Sequence, residues 1–330
     1  MDRRNFFRSE PLAGMLLPEV PVVAGPGELS LIRVSRRAMA TTFEIALPFG
    51  TPNAMEAAEE ALELIDELED QLTVYRDTSE VSQLNIMAAT GPVIVEQKLF
   101  DLLHLAATLT NDTQGAFDIA TGSLIRAWGF YKREGRLPPL ADLGAARDNS
   151  GMRHVILNAE MRSVKYRRAG LEINLGGIGK GYALDRAAEL LQTKWGIRSA
   201  LLHGGGSSVR AIGTPPGQSR GWPIAVQHPT DRTKTLGTVW LNNDALGTSA
   251  ATFQFFEYNN RKYGHLLDPR TGWPANGTQS ASVIAPNAAT ADALSTAFFV
   301  LGETAAKAYC QPRPELGVLI LPDDRELSPR

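Results

Sequence analysis

The sequence predicts a mixed α/β fold, either mixed-sheet α/β or α + β, with mixed sheets flanked by helices. Short apolar segments have the length of strands, and longer segments repeat apolar residues at helical spacing. The two kinds of segment alternate without the regular strand–helix–strand rhythm of a parallel sheet. The chain has 330 residues, of which 43% are hydrophobic and 21% charged, so it can bury a large core.

In the first half, a strand is predicted at Thr41–Leu47 and is followed by an amphipathic helix that ends near Leu72. Thr51-Pro52 is expected to open that helix, with Thr as N-cap and Pro at the first helical position. A second helix is predicted from Glu96 to Thr110. In the second half, the predicted helices are 179–194 and 288–301, and the predicted strands are 171–175, 199–202, 224–227, 239–241 and 282–284.

The N-terminal residues 1–29 differ from the rest of the chain. They are rich in Pro, Gly and Glu and show no period, so we interpret them as a leader or extended arm before one domain at residues 30–330. Arg3-Arg4 is a twin-arginine start, but an export signal also needs an apolar stretch of roughly 7–15 residues. The best such run, residues 11–18, lies between two glutamates. Cytoplasmic and exported locations therefore both remain open.

Charge and cysteine content exclude several classes of protein. Lys and Arg number 33 and Asp and Glu 36, which gives a net charge of −3, whereas nucleic-acid binders usually carry a basic excess. No run of about 18 apolar residues is present, so we expect no integral membrane segment. Cys310 is the only cysteine, which excludes an internal disulfide, a multi-cysteine zinc site and an N-terminal lipid-anchor cysteine.

A glycine-rich segment follows the predicted strand 171–175 and leads into a helix. It reads Gly176-Gly177-Ile178-Gly179-Lys180. Free N–H groups and the positive end of the dipole make a helix start a natural phosphate site, and the lysine adds a cation. The spacing fits neither the dinucleotide fingerprint nor the P-loop. An anion site and a tight structural turn are both compatible with the pattern.

The helix predicted at 288–301 is almost entirely small or apolar, yet it carries Asp292 and Thr296. These two side chains are four residues apart and therefore share a helix face. A buried carboxylate is costly unless it is paired or bound to a metal, and carboxylate and hydroxyl oxygens suit a hard cation such as Mg²⁺. The alternative is that Asp292 caps the start of its own helix.

Two further segments combine polar residues with turns. His265 to Gly272 contains His, Asp, Arg and Thr in a Pro- and Gly-containing turn, although a single histidine is most often structural or on the surface. The segment from Leu202 to Gly213 contains three consecutive glycines between two strands. Such glycines indicate a close backbone approach, either to another strand or to a ligand.

These four segments, taken together and in this order, resemble the ApbE family, the FAD:protein FMN transferases. Further matching parts are Met39-Ala40-Thr41, the stretch 115–118 and the stretch 291–302, so that the resemblance covers roughly residues 33–322. Each motif is weak alone, but their joint order and spacing are specific. The resemblance implies an ApbE-like fold with one flavin site and one Mg²⁺ site.

The resemblance also implies a role for individual residues. The Mg²⁺ ligands would be the carbonyl of Gly177 and the side chains of Asp292 and Thr296, and His265 would assist the transfer. The FAD contacts it implies are Met39, Tyr75, Ala116, Phe117, Asp118, Asn174, Lys180 and Leu266.

Five positions depart from the family pattern. Asn174 stands where Asp is usual, which removes a charge near the ligand. Ser207-Ser208 replace Gly-Asp, Ala250 follows Ser249 where Gly is usual, and Ala40 replaces the Gly of Met-Gly-Thr. We expect the fold and flavin binding to tolerate these changes.

Three functions are compatible with this combination. The first is Mg²⁺-dependent transfer of FMN from FAD to a Thr or Ser hydroxyl of an acceptor protein, with release of AMP. The second is hydrolysis of FAD to FMN and AMP at the same site, and the third is FAD binding without catalysis. The intact pair Asp292 and Thr296 and the presence of His265 argue against the third. The first two differ only in the nucleophile, and the resemblance favours the transferase.

Overall fold

The structure is a computed structural model that describes residues 30–132, 134–231, 233–250, 255–259 and 261–323. The predicted leader, residues 1–29, lies outside the described residues. No helix in the described part is long and apolar enough to cross a membrane.

The central element is a seven-stranded sheet in the order β1-β2-β6-β7-β10-β13-β14, in which every neighbouring pair is antiparallel. Its strands are β1 (Leu31–Ala38), β2 (Thr41–Pro48), β6 (Ala200–Gly204), β7 (Ser208–Ile212), β10 (Ala245–Ala250), β13 (Thr278–Ala285) and β14 (Gly317–Pro322). Three smaller sheets contain β3 (Val93–Ile94), β4 (Val155–Asn158), β5 (Ser163–Tyr166), β8 (Trp222–Gln227), β9 (Thr235–Leu241), β11 (Phe255–Tyr258) and β12 (Arg261–Gly264).

Eight α-helices are present in the described part of the chain. They are α1 (Ala54–Leu72), α2 (Glu80–Met87), α3 (Gln97–Asp112), α4 (Gly122–Ala127), α5 (Leu140–Asp148), α6 (Gly179–Thr193), α7 (Ala288–Leu301) and α8 (Glu303–Cys310). Helices α1, α6 and α7 contact one another in series and pack against the central sheet. The predicted α/β architecture of sheets flanked by helices is therefore confirmed, but the described strand pairs are all antiparallel, so the sheets are not mixed.

The two faces of the central sheet bury different sets of side chains. On β2, Phe43, Ile45 and Leu47 belong to the main core beneath the helices, whereas Ala46 points to the other face. The β8–β9 hairpin covers that second face and buries Trp222 completely. A third cluster around Trp128 joins α4, α5 and the β11–β12 hairpin. The sheet is thus enclosed by helices on one side and by a hairpin on the other.

Helix α7 approaches its neighbours so closely that two positions require glycine. A Cβ on Gly181 of α6 would overlap the carbonyl oxygen of Ala288, and a Cβ on Gly247 of β10 would overlap the backbone of Ala291. At both glycines the atoms nearest to the added Cβ belong to the backbone, so no flexible side chain could move aside. The first turn of α7 is therefore held tightly between α6 and β10.

Two side chains accept hydrogen bonds from the free N–H groups at the start of α7. The Asp185 carboxylate of α6 accepts from the N–H of Ala288 and of Ala289, at 2.8 Å each. The side chain of Asn287, the N-cap, accepts from the N–H of Thr290 at 2.8 Å. Burial raises the pKa of Asp185 to about 6. This capping fixes α7 against α6.

Most of the predicted elements are confirmed, with small shifts at their ends. The predicted helix 288–301 coincides with α7, helix 179–194 corresponds to α6, and helix 96–110 corresponds to α3. The predicted strands 41–47, 199–202, 224–227, 239–241 and 282–284 lie within or overlap β2, β6, β8, β9 and β13.

Two predictions about local structure are wrong. Residues 171–175 form no strand, because the Asn85 side chain bonds the N–H and the carbonyl of Ile173 in place of a neighbouring strand. Helix α1 begins at Ala54 with Asn53 as its N-cap, and the Thr51 hydroxyl instead donates to the carbonyl of Pro48 at 2.7 Å, which closes a turn.

The close approach of α6 to α7 gives a prediction with a matched control. Gly181→Ala should lower the free energy of unfolding by about 1–3 kcal/mol, because the added methyl forces the helices apart. Gly144, a helical glycine of α5 with nothing near its would-be Cβ, should give the opposite result. Gly144→Ala should raise the free energy of unfolding by roughly 0.5–1 kcal/mol. Urea denaturation measures both, and equal effects of the two changes would contradict the tight packing.

Candidate functional site

The β1–β2 turn and the β6–β7 turn lie side by side at one end of the central sheet. The β1–β2 hairpin turns at Met39 and Ala40, whose φ angles are 48° and 59°, as a two-residue turn of this kind requires. Gly205 in the β6–β7 turn donates its N–H to the carbonyl of Thr42 at 2.9 Å. The half-buried side chain of Met39 packs against the main core. Ala40 thus adopts the left-handed conformation that a glycine would accept without strain.

The three residues predicted to hold a metal ion come together in the structure. Thr296 lies one turn after Asp292 on α7, and a Cβ placed on Gly177 would be 3.5 Å from Thr296 Oγ1. Asp292 Oδ2 accepts from the N–H of Gly181 at 2.8 Å and from the hydroxyl of Ser208 at 3.0 Å. Both bonds are made by Oδ2, so Oδ1 carries neither of them.

The capping alternative for Asp292 is partly realised, but on another helix. Asn287 and Asp185 cap α7 itself, whereas Asp292 accepts from Gly181 in the first turn of α6. Helices α6 and α7 therefore cap each other through Asp185 and Asp292. Neither of these two bonds uses Oδ1 of Asp292, so this oxygen can serve as a metal ligand.

A network of hydroxyl groups surrounds Thr296. Thr296 Oγ1 and Ser295 Oγ both donate to the carbonyl of Asp292, at 3.2 and 2.8 Å. Ser249 Oγ lies 2.8 Å from Ser295 Oγ and 3.2 Å from Thr296 Oγ1. Ser295 and Thr296 direct their hydrogens to the Asp292 carbonyl, and Ser249 has one hydrogen, so Ser249 can donate to only one of these two hydroxyls at a time. Thr296 Oγ1 therefore keeps lone-pair capacity for a further partner.

The electrostatics of this cluster favour a hard cation. Burial raises the pKa of Asp292, an effect opposed by the Lys180 charge and by the bonds from Ser208 and Gly181. The described residues contain no group of three or more His, Cys, Asp or Glu that could hold a metal. One carboxylate, one hydroxyl and one carbonyl are all oxygen donors, and Mg²⁺ binds through one or two carboxylates together with substrate phosphates and water. The residues present fit such an ion.

The glycine-rich segment uses most of its N–H groups within the protein. The N–H groups of Ile178 and Gly179 both donate to the carbonyl of Leu175, and that of Gly176 donates to Asn174 Oδ1 at 2.9 Å. With Gly181 bound to Asp292, the segment is a structured turn rather than an open cradle of N–H groups. The expectation of open N–H groups is therefore wrong for Gly176 and Gly179, and the half-buried Lys180 supplies the cation for an anion.

The Ala116–Asp118 stretch packs beside this turn. Ala116 and Phe117 are buried, and Phe117 Cε2 would be 3.4 Å from a Cβ on Gly177. The Asp118 carboxylate accepts from the N–H of Ala120 at 2.7 Å and from that of Met152 at 2.9 Å. Burial raises the pKa of Asp118. Both oxygens of Asp118 thus hold the local backbone in place.

Asn174 and Tyr75 are linked by Tyr131, a residue that the sequence interpretation missed. Asn174 Nδ2 donates to the Tyr131 hydroxyl at 3.2 Å, since its Oδ1 already accepts from Gly176. The exposed ring of Tyr75 meets Tyr131 edge to face, with centroids 5.9 Å apart. Burial raises the pKa of Tyr131 to about 12. The Tyr131 hydroxyl is therefore neutral and has a hydrogen to donate.

The polar residues of the His265 loop bond to one another. Both oxygens of Asp268 pair with the Arg270 guanidinium, at 2.8 and 2.9 Å, and the Asp268 carbonyl accepts from the N–H of Gly272. His265 and Leu266 are half-buried, and Leu266 packs against the main core. Arg270 Cγ would be 3.6 Å from a Cβ on Gly115. The loop therefore borders the 115–118 stretch.

The comparisons with known proteins agree with one another. The ApbE family profile matches residues 39–320. An FAD:protein FMN transferase of Treponema pallidum is 33% identical over 285 residues, which is 82% of this chain and 78% of that protein. An FAD:protein FMN transferase of Klebsiella pneumoniae is 30% identical over 274 residues, 82% of this chain and 83% of that protein.

Solved structures show the same likeness. The ApbE protein of Thermotoga maritima superposes with a TM-score of 0.81 and 30% identity, over 89% of this chain and 94% of that one. The flavin transferase ApbE of Vibrio cholerae superposes with a TM-score of 0.78 and 27% identity, over 91% and 96%. With the family profile spanning most of its length, the chain belongs to the ApbE family.

Proposed function

We propose that this protein transfers FMN from FAD to a Thr or Ser hydroxyl of an acceptor protein and releases AMP. The observation that carries the proposal is the convergence of Asp292, Thr296 and Gly177 beside the buried Ala116–Phe117 stretch. Such a cluster suits a hard cation next to a ligand that carries phosphates. The relatives named FAD:protein FMN transferases support FAD as that ligand.

The proposed reaction is a substitution at the FMN-side phosphorus of the FAD diphosphate. The acceptor oxygen forms a bond to this phosphorus, and the bond from the phosphorus to the bridging oxygen breaks. The bridging oxygen leaves with AMP, and the acceptor hydroxyl gives up its proton to a base. A reaction of this kind needs positioning and charge stabilisation more than covalent help from the protein.

Each part of the site has a task in this reaction. A Mg²⁺ ion bound by Asp292, Thr296 and the Gly177 carbonyl would offset the negative charge of the diphosphate. Lys180, at the start of α6, would hold a phosphate oxygen.

Tyr75, Tyr131 and Asn174 form a contiguous polar and aromatic surface on which the ligand would lie. Met39, Ala116, Phe117, Asp118 and Leu266 remain proposed contacts of FAD. His265 would accept the proton of the hydroxyl.

The direct test is to incubate the pure protein with FAD, Mg²⁺ and a candidate acceptor, followed by mass spectrometry of the acceptor. The proposal predicts an acceptor that gains one FMN, together with released AMP. Free FMN formed equally with and without the acceptor would identify a hydrolase. FAD left intact under all conditions would identify a binding protein without catalysis.

Asp292 tests the role of the cation. Asp292→Asn keeps the size of the side chain and one acceptor oxygen but removes the charge, so Mg²⁺-dependent turnover of FAD should fall at least about a hundredfold, in line with metal-site losses. Asp148→Asn, at the exposed end of α5, is the control and should retain activity. Circular dichroism would check the fold, and unchanged turnover of Asp292→Asn at saturating Mg²⁺ would refute the metal role.

Lys180 tests the binding of phosphate. Lys180→Ala should weaken FAD binding by about 1.5–3 kcal/mol, the range for a hydrogen bond to a charged group. Lys194, at the other end of the same helix and paired with Glu60, is the matched control. Titration of FAD by its fluorescence measures both variants. Equal FAD affinities for Lys180→Ala and the parent would show that Lys180 does not touch the ligand.

His265 tests the transfer of the proton. His265→Ala should leave FAD and Mg²⁺ binding intact and slow FMN transfer at least about a hundredfold, the low end of the effect of a general base. His104, exposed on α3, provides the control substitution. Single-turnover mass spectrometry gives the rate of transfer. Transfer at the parental rate would exclude His265 as the base, and simultaneous loss of FAD binding would make it a ligand contact.

A further inference from the structure

Ser208 lies behind the proposed cation site and is completely buried. It is the first residue of β7, where it pairs with Gly204 of β6 and with Gly247 of β10. Its hydroxyl lies 3.0 Å from Asp292 Oδ2, although the two residues are 84 positions apart in the chain. Its position in the middle of the sheet fixes the hydroxyl relative to α7.

The direction of this hydrogen bond follows from the chemistry of its partners. An ionised carboxylate can only accept, so the Ser208 hydroxyl is the donor. The N–H of Gly181 is the second donor to the same oxygen, Oδ2. Two donors on two different elements, β7 and α6, restrict rotation of the carboxylate about its terminal bond. They engage one oxygen of Asp292 and leave Oδ1 as the oxygen for another partner.

We propose that Ser208 is a positioning residue of the cation site: its hydroxyl holds Asp292 so that Oδ1 is presented to the metal ion. The proposal rests on the cation site of the proposed function. Groups that hydrogen-bond to metal ligands commonly set ligand orientation and metal affinity. Ser208 does so without adding a charge, because its hydroxyl is a neutral donor.

A purely structural role for Ser208 makes a different prediction. A buried hydroxyl that only satisfies Asp292 would contribute to the stability of the folded protein, and its loss would not change the affinity for a cation. A positioning residue, in contrast, affects cation affinity in a protein that remains folded. Cation binding measured without turnover therefore separates the two roles.

Ser282 provides a matched control for the substitution. It is also a buried serine of the central sheet, and its hydroxyl lies 2.9 Å from Thr248 Oγ1 rather than near Asp292. Ser282→Ala removes a buried hydroxyl from the same sheet, so it should cause a comparable loss of stability. It should not alter the binding of a metal ion.

The experiment is a titration of the full chain with Mn²⁺ at saturating FAD, with free Mn²⁺ followed by electron paramagnetic resonance. Ser208→Ala should weaken Mn²⁺ binding about 10–100-fold, the usual range for loss of a group that supports a metal ligand. Ser208→Thr keeps the hydroxyl and should bind Mn²⁺ close to the parental affinity. Ser282→Ala should match the parent. FAD affinity without metal should be the same in all four proteins.

The outcomes distinguish failure of this proposal from failure of the proposed function. Parental Mn²⁺ affinity in Ser208→Ala, or an equal loss in Ser282→Ala, would overturn the positioning role. Parental Mn²⁺ affinity in Asp292→Asn would instead overturn the cation site itself. If the alanine variant does not fold, Ser208→Cys makes the same comparison, because a thiol is a weak donor of similar size. Parental affinity in that variant would likewise contradict the proposal.

Discussion

The reciprocal capping of helices α6 and α7 is the interaction on which the candidate site depends. Asp185 of α6 binds the first two N–H groups of α7, and Asp292 of α7 binds an N–H group in the first turn of α6. The two helix starts can approach this closely because residue 181 is glycine. The same contact that packs the core therefore places the Asp292 carboxylate beside the glycine-rich turn and Lys180.

This arrangement explains how a carboxylate is retained in an apolar helix. Burial disfavours the charged form of Asp292, and among the described residues it forms no ion pair within 4 Å. Two hydrogen bonds to Oδ2 and the nearby charge of Lys180 compensate only in part. A cation held by Asp292 and Thr296 would complete the compensation, so that binding the ion would stabilise both the site and the fold around it.

The sequence predicts the helices of this site better than the contacts between them. The apolar composition of 288–301 and the spacing of Asp292 and Thr296 are local properties, and α7 follows them closely. The capping by Asp185 and the support from Ser208 depend on elements far apart in the chain, so no local pattern contains them. The order and spacing of the motifs could be recognised as those of a family, which brought distant segments into one proposed site.

The sequence also did not predict where a side chain takes the place of a backbone hydrogen bond between strands. Residues 171–175 alternate apolar and polar residues as a half-buried strand does, but the Asn85 amide bonds Ile173 and no strand forms. The same irregular segment carries Asn174 to the Tyr131 hydroxyl, a contact with no signal beyond an aromatic-rich stretch after α4. Polar side chains inside the fold, rather than hydrophobic periodicity, thus decide the details of the candidate ligand surface.

The central claim is that mutual capping of two helices builds a cation site beside a flavin pocket. Anomalous diffraction at the manganese edge, from crystals grown with FAD and Mn²⁺, tests it most directly. The account predicts one anomalous peak in contact with Asp292, Thr296 Oγ1 and the Gly177 carbonyl, next to the FAD diphosphate. FAD bound with its diphosphate elsewhere, or manganese bound away from Asp292, would contradict the account.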